Sequence, residues 1–191
     1  MFNKLKKISF VLGSQSPRRQ QLFTDLGLDF VVRTADIEEI LSTDDLATNT
    51  EHLARQKALA IDVLAHECLI TADTLVGLDG LMLGKPGNLD EAQKMIRQLS
   101  NKWHEVVTGV CISYQGKQIT FHEKTEVLIK EIAAEDLEYY ISHYNPVDKA
   151  GSYGIQDWFG LTHVEAIKGC YYNVMGFPMP RFYKELKNIV I

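Results

Sequence analysis

A chain of 191 residues, 46% of them hydrophobic and 24% charged, can bury a substantial core and is too apolar to stay disordered. A net charge of −5 argues against a whole-surface attraction for nucleic acid, so any anionic ligand needs a local cluster of cations. The three cysteines (Cys68, Cys111 and Cys170) are odd in number and form no CxxC pair, which points to a reducing, cytoplasmic compartment rather than a disulfide framework or a zinc cage.

Lys4, Lys6 and Lys7 precede an apolar run at residues 8–12 that is too short for the core of a signal peptide. Ser16-Pro17-Arg18-Arg19 follows where a small-residue cleavage site would stand, so the run reads as a first buried strand. No stretch approaches the length needed to cross a membrane. A helix is expected from Pro17 to about Leu26, ending at Gly27, and then a strand at 29–33. A second helix starts near Thr48 or Thr50, where Thr48-x-x-Glu51 has capping-box form, and runs to His66. Two short strands, 69–72 and 75–78, come next, and then a helix with Ala92, Met95, Ile96 and Leu99 on one face. Runs at 105–114 and 118–132 are rich in β-branched residues and meet at Gln115-Gly116-Lys117, which predicts a hairpin. Leu137, Tyr140, Ile141 and Tyr144 mark a fourth helix. A last strand pair is expected at 162–167 and 171–174, turning at Lys168-Gly169, before a closing helix with Met179, Phe182, Tyr183 and Leu186. There is no repeat, low-complexity tract or linker, so the reading is one domain over 1–191. The elements predict an α/β fold with a sheet of mixed direction; strict βα alternation, and with it a simple Rossmann fold or TIM barrel, is missing.

Several segments can carry chemistry. Gly13-Ser14-Gln15-Ser16-Pro17-Arg18-Arg19 leads from a strand into a helix, with Ser16 placed to cap and Pro17 at the first helical position. Free amides, two hydroxyls and two guanidiniums there make either a basic helix start or a phosphate cradle. Asp73, in Thr71-Ala72-Asp73-Thr74-Leu75-Val76, interrupts an apolar strand pair: it either caps a turn or is a buried acid with a partner. Gly80-x-x-x-Gly84-Lys85 is one residue short of a P-loop, and Pro86 stands where the magnesium-holding hydroxyl belongs, so that reading fails while Lys85 stays a candidate phosphate lysine. Asp36-Ile37-Glu38-Glu39 offers oxygen donors of the kind magnesium or manganese takes, or is a solvated acidic loop. Lys57 reads by default as a helix-surface lysine. Asp148-Lys149-Ala150-Gly151-Ser152-Tyr153-Gly154-Ile155-Gln156 is a glycine-spaced loop that lets backbone approach a ligand. The six histidines show no zinc-binding spacing, and no nucleophile elbow is present.

Taken together and in order, these segments closely resemble the Maf family. The resemblance also rests on Leu99-Ser100…His104-x-Val106-x-Thr108-Gly109-Val110 and Gly169-x-Tyr171-x-Asn173-Val174-x-Gly176-x-Pro178, and it covers the chain from about Ile8 to Pro178. It implies a two-lobed α/β fold, a mixed sheet flanked by helices and related to inosine triphosphate pyrophosphatases, with the nucleotide in a cleft between lobes. The implied activity is hydrolysis of a nucleoside triphosphate to the monophosphate and pyrophosphate, with a divalent cation, by a homodimer; the charge and the lack of a spanning stretch add the expectation of no nucleic acid polymer and no membrane as partner. Asp73 matches the family's proton acceptor, and can equally be read as a metal ligand beside Glu38. Lys57 and Lys85 match phosphate-contacting lysines, with Ser14, Ser16 and Arg19 in the candidate cradle. Arg18, Thr74 and Gln156 match positions that set substrate choice. Arg18 and Gln156 place the chain with the branch acting on dTTP and UTP, and modified pyrimidine nucleotides fit the same reading. The competing readings are 7-methyl-GTP as substrate, or a nucleotide-binding regulator of division with little turnover. Asn101-Lys102-Trp103 and Asp157-Trp158-Phe159 depart from the family pattern, which predicts altered loops.

Overall fold

A computed structural model describes residues 5–41, 43 and 45–190; Lys4 of the basic start lies outside them. Among the described residues, seven strands form one mixed sheet in the order β2-β1-β3-β5-β6-β7, with β4 paired to β3. They are β1 (Ser9–Leu12), β2 (Phe30–Val32), β3 (Glu67–Leu78), β4 (Leu81–Leu83), β5 (Lys102–Tyr114), β6 (Lys117–Ile129) and β7 (Val164–Lys168). The helices are α1 (Pro17–Asp25), α2 (Leu46–Leu59), α3 (Leu89–Leu99), α4 (Ala134–His143), α5 (Trp158–His163), α6 (Tyr171–Val174) and α7 (Met179–Val190), with a 3-10 turn at Ala150–Ser152. β1 runs parallel to β2 and β3, with Phe10 opposite Phe30 and Cys68, while β4 and β7 pair antiparallel to β3 and β6. The chain divides into two compact units: Met1–Asp73, Thr108–Glu123 and Gly176–Ile191 in the first, Thr74–Val107 and Lys124–Met175 in the second.

In the first unit, Val11, Leu69 and Cys111 of the sheet pack with Ala54, Ala58 and Ile61. Phe23 of α1 meets Phe30, Phe177 and Phe182 at ring centroid distances of 5.7, 5.2 and 5.2 Å, an aromatic cluster that ties α1 and α7 to β2. Pro17 opens α1, and Gly27 closes it at φ 74, with Gly27 N–H on Thr24 O and Leu28 N–H on Phe23 O. Ser16 occupies the cap position of α1 but makes no side-chain cap bond, contrary to expectation. α2 also departs from its prediction. Asp45 caps it, accepting from Thr48 N–H at 2.7 Å, and Glu51 turns away from the expected capping box to His122 Nδ1 at 2.7 Å. The helix ends at Leu59 rather than His66.

In the second unit, Val76, Ile96, Val106, Val127, Leu137, Tyr140 and Phe159 share one core. Asn88 caps α3 by accepting from Glu91 N–H at 2.9 Å. The two strands expected at 69–72 and 75–78 are one twelve-residue strand, buried at every position but Thr74. Such a strand is buried on both faces, so no alternation announces its length. The hairpin between β5 and β6 turns at Gln115 and Gly116, both left-handed at φ 49 and 76, as a two-residue connection requires. Residues 171–174, expected as a strand, form α6: Asn173 is fully buried and donates to Val106 O and Thr125 Oγ1, both at 3.0 Å. Those bonds outweigh the strand preference of Tyr171 and Tyr172. Asp157-Trp158-Phe159 opens α5, where Gly160 is obligatory because a Cβ would stand 1.9 Å from Ile155 O.

Candidate active site

β1 is followed by Gly13, whose N–H donates to Ile70 O at 2.7 Å. A Cβ there would come within 2.5 Å of Thr71, so only glycine lets the chain leave the sheet this closely. Ser14 follows, 7% exposed, and its Oγ accepts from Ser16 N–H at 3.3 Å and from Arg19 Nη1 at 3.2 Å. Arg19 also donates to Ala72 O at 2.8 Å and, through Nε, to Gly176 O at 2.9 Å. The guanidinium therefore ties the post-β1 loop to the strand residue beside Asp73. Burial lowers its pKa, opposed by the charge of Asp73. Arg18 is half-buried on the same turn.

Asp73 stands inside β3, 7% exposed, and so caps no turn. Its Oδ1 receives Lys57 Nζ at 2.5 Å, and the same ammonium lies 2.7 Å from Glu39 Oε1. Lys57 is thus an inward lysine of α2 held between two carboxylates, not a surface side chain. Burial raises the Asp73 pKa above the ordinary 3.8, with Lys57 and Arg19 pulling the other way. Glu39, named in the sequence only as part of an acidic loop, is the carboxylate that meets Lys57. Glu38 is exposed beside it. Nothing in the order of residues 36–39 distinguishes the two; the loop's path does.

The second unit carries the remaining candidates. Thr74 follows Asp73 on β3 and is half-buried. Lys85 is exposed just after β4, between Gly84, whose carbonyl accepts from Gly151 N–H at 3.1 Å, and buried Pro86. Gln156 donates from Nε2 to Asp157 Oδ1 at 3.0 Å, leaving its Oε1 buried without a hydrogen-bond partner. Lys149 is 8% exposed and spends its ammonium on Asn145 O, Asp148 and Asp157, which holds the start of this loop.

No group of three or more His, Cys, Asp and Glu among the described residues could hold a metal by itself. A hard divalent cation of the magnesium type takes one or two carboxylates and fills its remaining positions with substrate phosphate and water. Asp73 and Glu39, which share the Lys57 ammonium, and the exposed Glu38 are carboxylates of the kind such an ion takes.

The mixed sheet holds a buried aspartate–lysine pair beside a serine- and arginine-bearing turn, and the chain belongs to the Maf family, whose model, described as Maf-like protein, matches residues 9–189. Its curated relatives include the dTTP/UTP pyrophosphatase of Phocaeicola vulgatus, 45% identical over 99% of this chain and 100% of the relative. The dTTP/UTP pyrophosphatase of Flavobacterium johnsoniae is 44% identical over 98% of each chain. Among solved structures, a HAM1 protein from Coxiella burnetii covers 64% of this chain and 73% of its own at TM-score 0.42 and 18% identity, a likeness too remote to carry any inference.

Proposed function

We propose that this chain hydrolyses dTTP and UTP to the monophosphate and pyrophosphate. The observation that carries the reading is Asp73: a carboxylate buried in a strand, raised in pKa and held by Lys57, in a chain with close relatives named for this reaction. Asp73 orients a water and takes its proton as the water oxygen bonds to the α phosphorus. The bond from that phosphorus to the bridging oxygen breaks, and the pyrophosphate leaves. Ser14, Ser16 and the helix start at Pro17, with Arg18, Lys57 and Lys85, bind the phosphates and offset the charge that builds on their oxygens. Arg19 keeps the Ser14 turn in place. Thr74 and Gln156 select the base, Gln156 through its unpartnered Oε1. Glu38, with Glu39 and Asp73 alongside, would hold a magnesium or manganese ion, which would supply Lewis-acid neutralisation of phosphate charge.

The proposal extends to a homodimer and to a cytoplasmic setting. The family resemblance supports the first, and three free cysteines agree with the second. No described helix is long and apolar enough to cross a membrane. With a charge of −5, the chain is expected to leave nucleic acid polymers alone. Pyrophosphate release from dTTP, UTP, CTP, GTP and 7-methyl-GTP, each with magnesium or manganese, tests the activity. Preferential release from dTTP and UTP is expected. Release from 7-methyl-GTP alone would move the chain to the competing substrate, and tight binding without any release would make it a regulator.

A further inference from the structure

His104, in β5, is 2% exposed and has no part in the chemistry above. Its Nε2 lies 2.7 Å from the hydroxyl of Tyr153, itself 6% exposed, with the rings edge to face at 88°. Nδ1 has no hydrogen-bond partner among the described residues. The hydrogen count decides the tautomer. Were Nε2 the donor, the Nδ1 lone pair and the phenolic hydrogen would both go unpaired; with Tyr153 as donor, only Nδ1–H does. Burial favours the neutral form of each partner, holding His104 down at about 4 and pushing the Tyr153 phenol up. The bond therefore persists at neutral pH.

A buried ring N–H with no partner is a standing cost, and a phenylalanine would fill similar space without it. Packing alone does not account for the pair; the segment attached to Tyr153 does. Gly151 and Ser152 just before it are both left-handed, at φ 68 and 65, and for a serine that conformation is strained. Gly151 N–H reaches Gly84 O at 3.1 Å, Ser152 N–H closes on Lys149 O at 3.1 Å, and the Ser152 hydroxyl meets Met95 Sδ at 3.2 Å. Gly154 then accepts from Asp157 N–H at 3.1 Å and delivers Gln156. One end of the segment thus touches the carbonyl next to Lys85, and the other end carries Gln156. Strained backbone of this kind holds only where its surroundings over-determine it.

We propose that His104 is a positioning residue: by accepting the hydrogen bond of Tyr153 it latches segment 151–156, and so sets Gln156 toward a pyrimidine base and the Gly84–Lys85 turn toward the phosphates. The inference rests on the roles given to Gln156 and Lys85 above, and adds the group that holds them. Tyr153→Phe removes the hydroxyl and little else. In the full-length protein, hydrogen exchange at the amides of Gly151, Ser152 and Asp157 is followed alongside dTTP hydrolysis. Both Tyr153→Phe and His104→Phe are expected to speed that exchange and raise KM about fivefold, with kcat within about twofold. His104→Gln can present an acceptor near the Nε2 position and is expected to restore both readings toward the parent. A merely structural role would lower Tm without the KM–kcat split or the rescue, and that outcome overturns the latch. So does unchanged exchange in Tyr153→Phe, whatever the kinetics. Gln156→Ala separates the two ideas: if it leaves nucleotide selectivity intact the base-reading role falls, while faster loop exchange in Tyr153→Phe still supports the latch.

Discussion

A carboxylate in the middle of a buried strand is unfavourable unless something meets it, and at Asp73 that is the Lys57 ammonium at 2.5 Å. The pair keeps Asp73 in place while burial raises its pKa above the ordinary carboxylate value. Asp73→Asn keeps the shape and one acceptor for Lys57 but cannot take a proton. It should lower kcat by about 100-fold or more with nucleotide affinity largely retained, read by steady-state hydrolysis and by calorimetric titration. Full activity in that variant would remove Asp73 from the mechanism. The aspartate itself was legible in the sequence as an acid in an apolar run. Its lysine was not, because positions 57 and 73 meet only when α2 packs on β3, and Lys57 in isolation has the ordinary form of a surface residue.

At the scale of elements, two contacts decide how the first unit closes. Arg33, just after β2, grips Glu67 at the start of β3 with both terminal nitrogens, at 2.9 and 3.1 Å, and Leu64 N–H adds a third bond at 2.8 Å. These bonds hold the Glu67 pKa at about 2, below its ordinary 4.5. A depressed carboxyl stabilises the fold fully above the unfolded value and loses that contribution as pH falls through the folded one. Arg33→Ala should therefore lower Tm at neutral pH, and the gap to the parent should shrink from pH 4.5 down to about 2. A gap independent of pH would mean the pair does not act through charge. The second contact is Gly109 of β5, where a Cβ would stand 2.2 Å from the Thr50 carbonyl carbon. α2 lies directly on that strand, so Gly109→Ala must push helix and strand apart. A loss of about 3 kcal/mol or more is expected by urea unfolding, beyond the usual range for an added methyl because the obstacle is backbone. Neither contact shows in a sequence pattern, although the glycine stands in the His104-to-Val110 motif.

For the whole molecule, the cysteines report on cooperativity. Cys68 and Cys111 are 0% exposed, on β3 and β5, and burial pushes the Cys68 thiol up to about 12. Cys170 is half-buried. Native protein treated with a thiol reagent should label at Cys170 first, and at Cys68 and Cys111 only at the rate of global unfolding. Early labelling of Cys68 would show that the β1–β3 region opens by itself.

The sequence by itself determined the α/β class, the helix from Pro17, the helix with Ala92, Met95, Ile96 and Leu99 on one face, the closing helix that carries Met179 and Phe182, the β5–β6 hairpin and the chain's membership of its family. These depend on local signals: proline at a helix start, glycine at its end, apolar spacing, and a turn with two left-handed residues. Only the tertiary structure decided that β3 is a single strand, that 171–174 is helical around a buried Asn173, and that Glu39 rather than Glu38 meets Lys57. It also decided that Arg19 holds Ser14, Ala72 and Gly176, and that His104 faces Tyr153. Each of these is a hydrogen bond, ion pair or burial between residues far apart in the chain, and the free energy of such contacts does not exist until the elements pack.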